Sequence, residues 1–187
     1  MPQLKFNKKK WLKNKHIKNS NNCYAYFLNK INKNNIKSCK KSKKHTHCLT
    51  SKPGLYKHYK TFDYKKHTNC ESLLNRTIKD NKAIFKIKET DPCPKNYYKG
   101  ALVVNNGKDY HYYRQDSNKR WSHKLGSYNP TVYDSNKKII RNPRLSGRTW
   151  KKNQYPTFCN YFCAPMNAKK KHHKLPRSKK NIYNFNL

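Results

Sequence analysis

The charge balance constrains this chain more than any other feature of its sequence. Lys and Arg account for 45 of the 187 residues, whereas Asp and Glu account for only 8, so the formal net charge is +37. A charge of that size repels itself in a compact state and attracts phosphate-rich surfaces. Because neutralising phosphates releases counterions, binding to such a partner should be tight at low salt and should weaken steeply as salt rises.

A biased nucleotide composition is an alternative source of the lysines. Lys, Asn, Tyr and Ile are the residues that an AT-rich genome favours, and the chain is rich in all four. Codons for Asp and Glu are also fairly rich in A and T, so this bias does not account for the scarcity of acids. The balance therefore favours a selected role in binding polyanions, over a charged surface that is merely solvated.

The aromatic content indicates that part of the chain folds. Disordered basic proteins usually lack aromatic residues, but this chain has 15 Tyr, 7 Phe and 3 Trp from which a core can form. The length suggests one domain. We expect it over residues 21–165, between a flexible basic N-terminal arm (1–20) and a flexible basic C-terminal tail (166–187), both without acids.

Basic runs in the two arms and in the stretch after residue 39 are the expected nucleic-acid contacts. No helix-turn-helix, phosphate-binding loop or glycine-rich nucleotide motif is visible, and the excess of Lys over Arg disfavours bidentate recognition of guanine. We therefore expect non-specific contact with the phosphate backbone of DNA or RNA. The residues concerned are Lys8, Lys9, Lys10, Lys40, Lys41, Lys43, Lys44, Lys169, Lys170, Lys171 and Arg177.

Hydropathy and cysteine usage bear on the compartment. No segment approaches the ~20 apolar residues of a membrane span, and residues 1–18 hold no apolar stretch of signal-peptide length. We expect no membrane span and no signal peptide, with a virion interior or the host cytoplasm as the location. The seven cysteines are odd in number. In a reducing compartment they would be thiols or metal ligands rather than a disulfide framework, whereas inside a particle disulfides are the alternative.

Helical signals come first in the chain. Asn21 and Asn22 are candidate caps, and apolar residues then follow at i, i+3, i+4 and i+7, namely Tyr24, Phe27, Leu28 and Ile31. This spacing predicts an amphipathic helix with Cys23 in its first turn. A weaker helix is predicted near Glu71–Lys79, after an irregular stretch over 33–70.

Strand signals dominate from residue 99 onward. Strands are predicted at Ala101–Val104, Asp109–Gln115, Arg120–Lys124 and Thr157–Ala164, with short ones at Val132–Tyr133 and Ile139–Ile140. In the last long strand, simple alternation puts Cys159 and Cys163 on one face and Phe158 and Phe162 on the other. Helices followed by antiparallel strands predict an α+β domain.

Cys23, His111 and His123 are the residues that could carry chemistry. A helix N-terminus favours a thiolate, and a cysteine nucleophile also needs a histidine base within hydrogen-bond reach. If the hairpin after His111 has a three-residue loop at 117–119, Tyr113 pairs with His123 and the two histidines face the same side. A four-residue loop would put them on opposite faces.

The order of these residues resembles that of papain-like proteins. A helix-borne Cys followed by a His on a central strand and a polar residue one strand later is similar to the Cys–His–His order of NlpC-type cell-wall peptidases. Asn22–Tyr26, Asp109–Arg114 and Trp121–Lys124 also resemble segments of a poorly characterised bacterial and large-virus protein set, as do Asn142-Pro143 and Phe158–Cys163. The resemblance covers roughly residues 21–165.

The resemblance implies an N-terminal helix bearing Cys23 packed on an antiparallel sheet. It also implies that Cys23 is the nucleophile of a peptidase or amidase, that His111 is the general base, and that His123 orients His111. Asp116 or Asn129 is the weaker alternative for that orienting role. An acidic protein or polymer is the substrate class that the basic surface suggests, and no cofactor is expected.

A zinc site is a weaker hypothesis from the same sequence. Cys39, His45, His47 and Cys48 are potential ligands, with Cys70 and His67 as further ones, but their spacing matches no standard zinc finger. The candidate site residues therefore include no metal ligand. Cys159 and Cys163 could meet Cys93, although packing in the core is the alternative that we favour.

Taken together, the sequence favours a cationic nucleic-acid-binding protein on a papain-like domain. The composition suggests a virion core or genome-packaging component of a large DNA virus. An active cysteine peptidase or amidase is the main alternative, and a cationic toxin or cell-wall-binding effector is a third.

Overall fold

The structure is a computed structural model of the chain, and it describes residues 4–42, 48–56, 59–151 and 153–166. The described helices are α1 (Lys8–Leu12), α2 (Lys15–Ser20), α3 (Cys23–Phe27), α4 (Lys33–Lys41), α5 (Tyr64–His67) and α6 (Cys70–Asp80). The strands are β1 (Phe85–Ile87), β2 (Tyr97–Asn105), β3 (Asp109–Gln115), β4 (Trp121–His123), β5 (Thr149–Trp150), β6 (Asn153–Gln154) and β7 (Thr157–Pro165). The predicted α+β class is confirmed.

Asparagine side chains start most of these helices. Asn7, Asn14, Asn22, Asn32 and Asn69 are the N-caps of α1, α2, α3, α4 and α6, and each accepts a hydrogen bond from a backbone N–H in the first turn. Such a cap satisfies an amide that has no partner within the helix. The asparagine-rich composition thus has a structural use, which also explains how α4 forms in a stretch expected to be irregular.

A five-stranded antiparallel sheet forms the centre of the fold, in the order β1-β7-β2-β3-β4. One face carries a core of residues from α3, α6 and the strands, including Phe27, Leu73 and Tyr112. The other face carries a second core, in which Ile140 and Tyr155 from the chain between β4 and β7 cover Tyr113. The sheet is therefore buried on both faces.

Gly100 in β2 lets α3 approach the sheet closely. A Cβ atom at this position would overlap the ring of Phe27. Because glycine has no side chain, the ring can lie directly against the strand. At the C-terminal end of α3, the Arg114 guanidinium lies 3.9 Å from the centre of the Tyr26 ring and donates to Tyr26 O over 3.2 Å. These contacts fix α3, and with it Cys23, against β3.

The N-terminal segment is not a flexible arm over its described part. Residues 8–20 form α1 and α2, and the Trp11 side chain is fully buried against the Tyr26 ring at a centroid distance of 5.0 Å. Ile17 in α2 is also buried. The expected boundary between residues 20 and 21 is therefore corrected, because apolar burial ties this segment to α3. The predicted tail lies outside the described residues, except for Met166.

A β-bulge at Cys159 corrects the predicted face pattern of β7. Leu102 pairs with Asn160 while its neighbour Val103 pairs with Phe158, so the register skips Cys159. The extra residue reverses the alternation. Cys159 joins the core on the α3 face, whereas Cys163 and Phe158 lie with the second core.

The hairpin between β3 and β4 has the three-residue loop that the sequence allowed. Asp116 N donates to Arg120 O, and Tyr113 pairs with His123. Lys119 has a φ of +64°, which closes the loop in the left-handed region. Among the helices that the structure describes, none has the length and apolar character needed to cross a membrane.

Candidate functional sites

Cys23 begins α3 and is buried beneath it. Its Sγ atom lies 3.9 Å from Tyr110 O of β3, and the residue is 5% exposed. Burial raises the pKa of the thiol to about 12, and the negative charge of Asp109 adds to the increase, although Lys124 opposes it. A position at a helix N-terminus favours the thiolate, but loss of hydration outweighs it here. Cys23 is therefore a neutral thiol at physiological pH.

His111 and His123 form a buried pair. His123 Nε2 donates to Tyr133 O over 2.9 Å, because a carbonyl can only accept. His123 Nδ1 then accepts from His111 Nε2 over 2.8 Å. Burial lowers the pKa of His111 well below its usual value, with His123 adding to the decrease, and lowers the pKa of His123 to about 4. Both rings are neutral at pH 7.

The sheet separates this pair from Cys23. His111 is paired with Val103, which belongs to the second core, whereas its neighbours Tyr110 and Tyr112 belong to the same core as Cys23. Because successive side chains of a strand point to opposite faces, His111 lies on the face away from Cys23. The structure brings the two histidines together but does not assemble the Cys23–His111 pair that the resemblance implies.

The weaker orienting candidates do not contact the histidines either. Asp116 forms an ion pair with Arg114, at 3.4 Å between Oδ1 and Nε, and both side chains are buried. Asn129 is exposed. The ring of His111 instead packs between aromatic neighbours, with centroids 5.3 Å from Tyr155 and 6.1 Å from Trp150.

Three disulfides account for six of the seven cysteines. The bridges join Cys39 to Cys48, Cys70 to Cys159 and Cys93 to Cys163, and Cys23 is the free thiol. Of the two alternatives that the sequence left open, the structure has disulfides rather than thiols or metal ligands, and the preference for unbridged packing of Cys159 and Cys163 is corrected. Such bridges persist in oxidising surroundings.

The zinc hypothesis loses the sulfur ligands on which it depends. Cys39, Cys48 and Cys70 are all in disulfides, and a disulfide sulfur is not the thiolate that binds zinc. His45 and His47 lie outside the described residues. Within the described part, no group of three or more His, Cys, Asp or Glu side chains is placed to hold a metal ion.

The acidic residues mostly bind backbone and neutral polar groups of the protein instead of forming ion pairs with lysines. Asp80, for example, accepts from Tyr24 Oη, Gly54 N and Tyr56 N at 2.7–3.0 Å. Glu71 lies in the first turn of α6, where a negative charge is favourable. Between residues that the structure describes, Arg114–Asp116 is the one ion pair. The acids that bind other groups of the protein are Asp63, Asp80, Glu89, Asp91, Asp109, Asp116 and Asp134.

The lysines, in contrast, concentrate where acids are missing. The first acidic residue of the chain is Asp63. Before it, α2 packs on both α1 and α4, and their exposed lysines form what we call the N-terminal lysine cluster. On α4 these lysines recur at i, i+4, i+7 and i+8, which places them on one stripe. The cluster comprises Lys8, Lys9, Lys13, Lys15, Lys33, Lys37, Lys40 and Lys41.

The structure assigns different positions to the lysines singled out from the sequence. Lys8, Lys9, Lys40 and Lys41 are exposed. Lys10 has a structural contact instead, because its Nζ donates to Asn29 Oδ1 over 2.6 Å and to Asn29 O over 3.2 Å. The other predicted contacts, Lys43, Lys44, Lys169, Lys170, Lys171 and Arg177, lie outside the described residues.

Lys13, Lys15, Lys33 and Lys37 were missed as candidates. A search for runs of consecutive lysines does not find lysines that are separated in sequence but lie on the same side of a helix. The helical spacing of Lys33, Lys37 and Lys41 is the signal for the two lysines of α4, and the absence of acids before Asp63 is the signal for Lys13 and Lys15.

An open groove lies beside the N-terminal end of α4. It has a volume of about 460 Å³, and its lining includes Asn32 and Asn35 of α4 together with Lys52, Phe62 and Tyr64. The Lys52 ammonium lies 4.9 Å from the centre of the Tyr64 ring and 5.7 Å from that of Phe62.

Comparison with known proteins does not identify a function, so the functional proposal depends on the geometry of the described residues. No protein-family model, no curated protein and no solved structure matches the chain. The papain-like resemblance therefore stays a prediction.

Proposed function

We propose that the protein binds nucleic acid non-specifically, with the N-terminal lysine cluster as its main contact. The observation that carries this proposal is the distribution of charge. Seven acids are bound to other groups of the protein, and none precedes Asp63, so the lysines of α1, α2 and α4 have no acidic neighbours in sequence. An uncompensated cationic surface of this kind attracts phosphates at long range and releases counterions on contact.

The alternative function, that of a peptidase or amidase with a cysteine nucleophile, has less support in the geometry. A nucleophilic Cys needs a base that can take its proton, and Cys23 is buried on the opposite face of the sheet from His111. The papain-like ancestry and the role in genome packaging remain predictions from the sequence.

The test compares two variants of equal net charge. One replaces Lys33, Lys37, Lys40 and Lys41 with Gln, and the matched control replaces four exposed lysines elsewhere, at Lys82, Lys95, Lys108 and Lys138. Affinity for a DNA duplex and for a single strand is measured across a salt series. If all four α4 lysines contact phosphates, the slope of log K against log salt should become shallower in the first variant by up to about 3.6 for the duplex and about 2.8 for the single strand.

The control variant should lose much less of that slope. Equal losses in the two variants would show that the lysines act only through overall charge and that α4 is not a preferred contact. Absence of binding by the unmodified protein at low salt would overturn the proposed function itself.

A further inference from the structure

The groove beside α4 combines apolar exposure with positive charge. Leu49, Leu55 and Tyr64 line it and are 64%, 38% and 39% exposed. Large apolar side chains that are exposed together mark interaction sites more often than isolated ones do. Lys52 belongs to the same lining, and none of the described lining residues is acidic. The groove thus suits a partner that is both apolar and anionic.

The aromatic side chains of the groove are held in fixed positions. The Phe62 and Tyr64 rings meet edge to face at a centroid distance of 5.2 Å, and Tyr64 is stacked at 6.4 Å on Tyr110 of the sheet. Tyr56 is held by a 2.7 Å hydrogen bond between its hydroxyl and Ser51 Oγ. A rigid aromatic surface loses little entropy when a flat group stacks on it.

From these observations we infer that the groove accepts unpaired bases of single-stranded nucleic acid. This inference rests on the proposed function. A nucleotide matches both features of the groove. Any of the bases can stack on an aromatic ring, and the phosphate can contact a lysine. The groove volume of about 460 Å³ lies within the usual range of ligand sites.

The position of the groove links it to the lysine cluster. Asn32, the N-cap of α4, and Asn35 in its first turn both line the groove, and Lys33 and Lys37 of the cluster lie on the same turns of that helix. At about 100° per residue the lysine stripe lies on the side of α4 away from Asn35, so a strand whose base enters the groove reaches Lys33 by passing around the N-terminal end of the helix. Duplex DNA keeps its bases stacked inside, so it reaches the lysines without using the groove.

The experiment separates base contacts from phosphate contacts. The probes are a thymidine strand of about 15 nucleotides, an abasic strand with the same phosphates, and a duplex of the same length. The variants are Tyr64→Leu, which removes the aromatic ring, and Tyr64→Phe, which keeps it. The matched control is Tyr128→Leu, at an exposed tyrosine outside the groove. Thermal unfolding of each variant confirms that it is folded.

The unmodified protein should bind the thymidine strand about 5- to 150-fold more tightly than the abasic strand, as expected for one stacked base. Tyr64→Leu should remove most of this preference and leave duplex binding unchanged, whereas Tyr64→Phe and Tyr128→Leu should keep it. Equal affinity of the unmodified protein for the thymidine and abasic strands overturns the inference while leaving the proposed function intact. An equal effect of Tyr64→Leu and Tyr128→Leu also overturns it. No binding of any probe overturns both.

Discussion

Cys23 should resist thiol reagents in the folded protein. Its pKa of about 12, raised mainly by burial, leaves roughly one thiolate in ten thousand at about pH 8, whereas an ordinary thiol with a pKa of ~8.5 is about one quarter ionised. Because the thiolate is the reactive form, labelling should be roughly 2,000 times slower than that of an exposed cysteine. The 5% exposure of the residue slows access further.

Thiol counting with a chromogenic disulfide reagent measures this directly. The native protein should react very slowly, the protein unfolded without reductant should show one thiol, and the unfolded and reduced protein should show all seven. His111→Ala should leave the slow native rate unchanged, because His111 lies on the other face of the sheet. This variant must be shown to be folded, since unfolding would itself expose Cys23.

Two results would refute the reasoning. Fast labelling below pH 8 that slows in folded His111→Ala would mean that Cys23 and His111 form a working pair, as the resemblance implies. More than one thiol in the unfolded, unreduced protein would mean that at least one of the three disulfides is absent.

Three further predictions concern stability, each measured by urea unfolding. Replacing Cys70 and Cys159 with Ala should cost about 3.5 kcal/mol, because with Cys93–Cys163 intact the bridge closes a loop of about 27 residues, whereas removing the nine-residue bridge should cost about 2.5 kcal/mol; a larger cost for the nine-residue bridge would argue against loop closure as the cause. Gly100→Ala should cost about 1–3 kcal/mol, because its methyl group would overlap Phe27, and no loss would mean that α3 sits farther from the sheet. Burial lowers the pKa of Lys124 to about 7, so between about pH 7 and 10 the Lys124 side chain holds a proton in the unfolded chain that it lacks in the folded protein. Over this range the free energy of unfolding of the unmodified protein should rise with pH compared with that of Lys124→Met. Parallel pH profiles of the two proteins would contradict this.

Local signals in the sequence predicted local structure well. Asn22 caps α3 as expected, the helix predicted at Glu71–Lys79 is α6, and Asp109–Gln115 is a strand. These features depend on capping and alternation within a few residues. α3 ends at Phe27, earlier than the apolar spacing suggested, because Asn29 adopts a φ of +52° and Lys30 N donates back to Ala25 O.

Features that depend on how distant segments meet were not predictable in the same way. Both faces of β3 carry tyrosines, so the hydrophobic pattern does not show which face α3 covers, and that choice separates Cys23 from His111. The residues of the groove come from three stretches that are brought together only by folding, represented by Asn35, Lys52 and Tyr64. Neither composition nor spacing carries this information.

The bulge in β7 makes correct oxidation depend on sheet register. Six cysteines allow roughly 15 pairings, and the choice of which of the seven stays free multiplies that number. In a regular strand Cys159 and Cys163 would point the same way, but the extra residue directs Cys159 toward Cys70 in α6 and Cys163 toward Cys93 on the opposite side. A chain oxidised before β7 pairs with β2 lacks this selection and should collect mismatched bridges. The order of strand pairing and oxidation therefore decides the yield of native protein. Deleting one residue at the bulge removes the selection altogether, so every molecule should then be exposed to mismatched bridges.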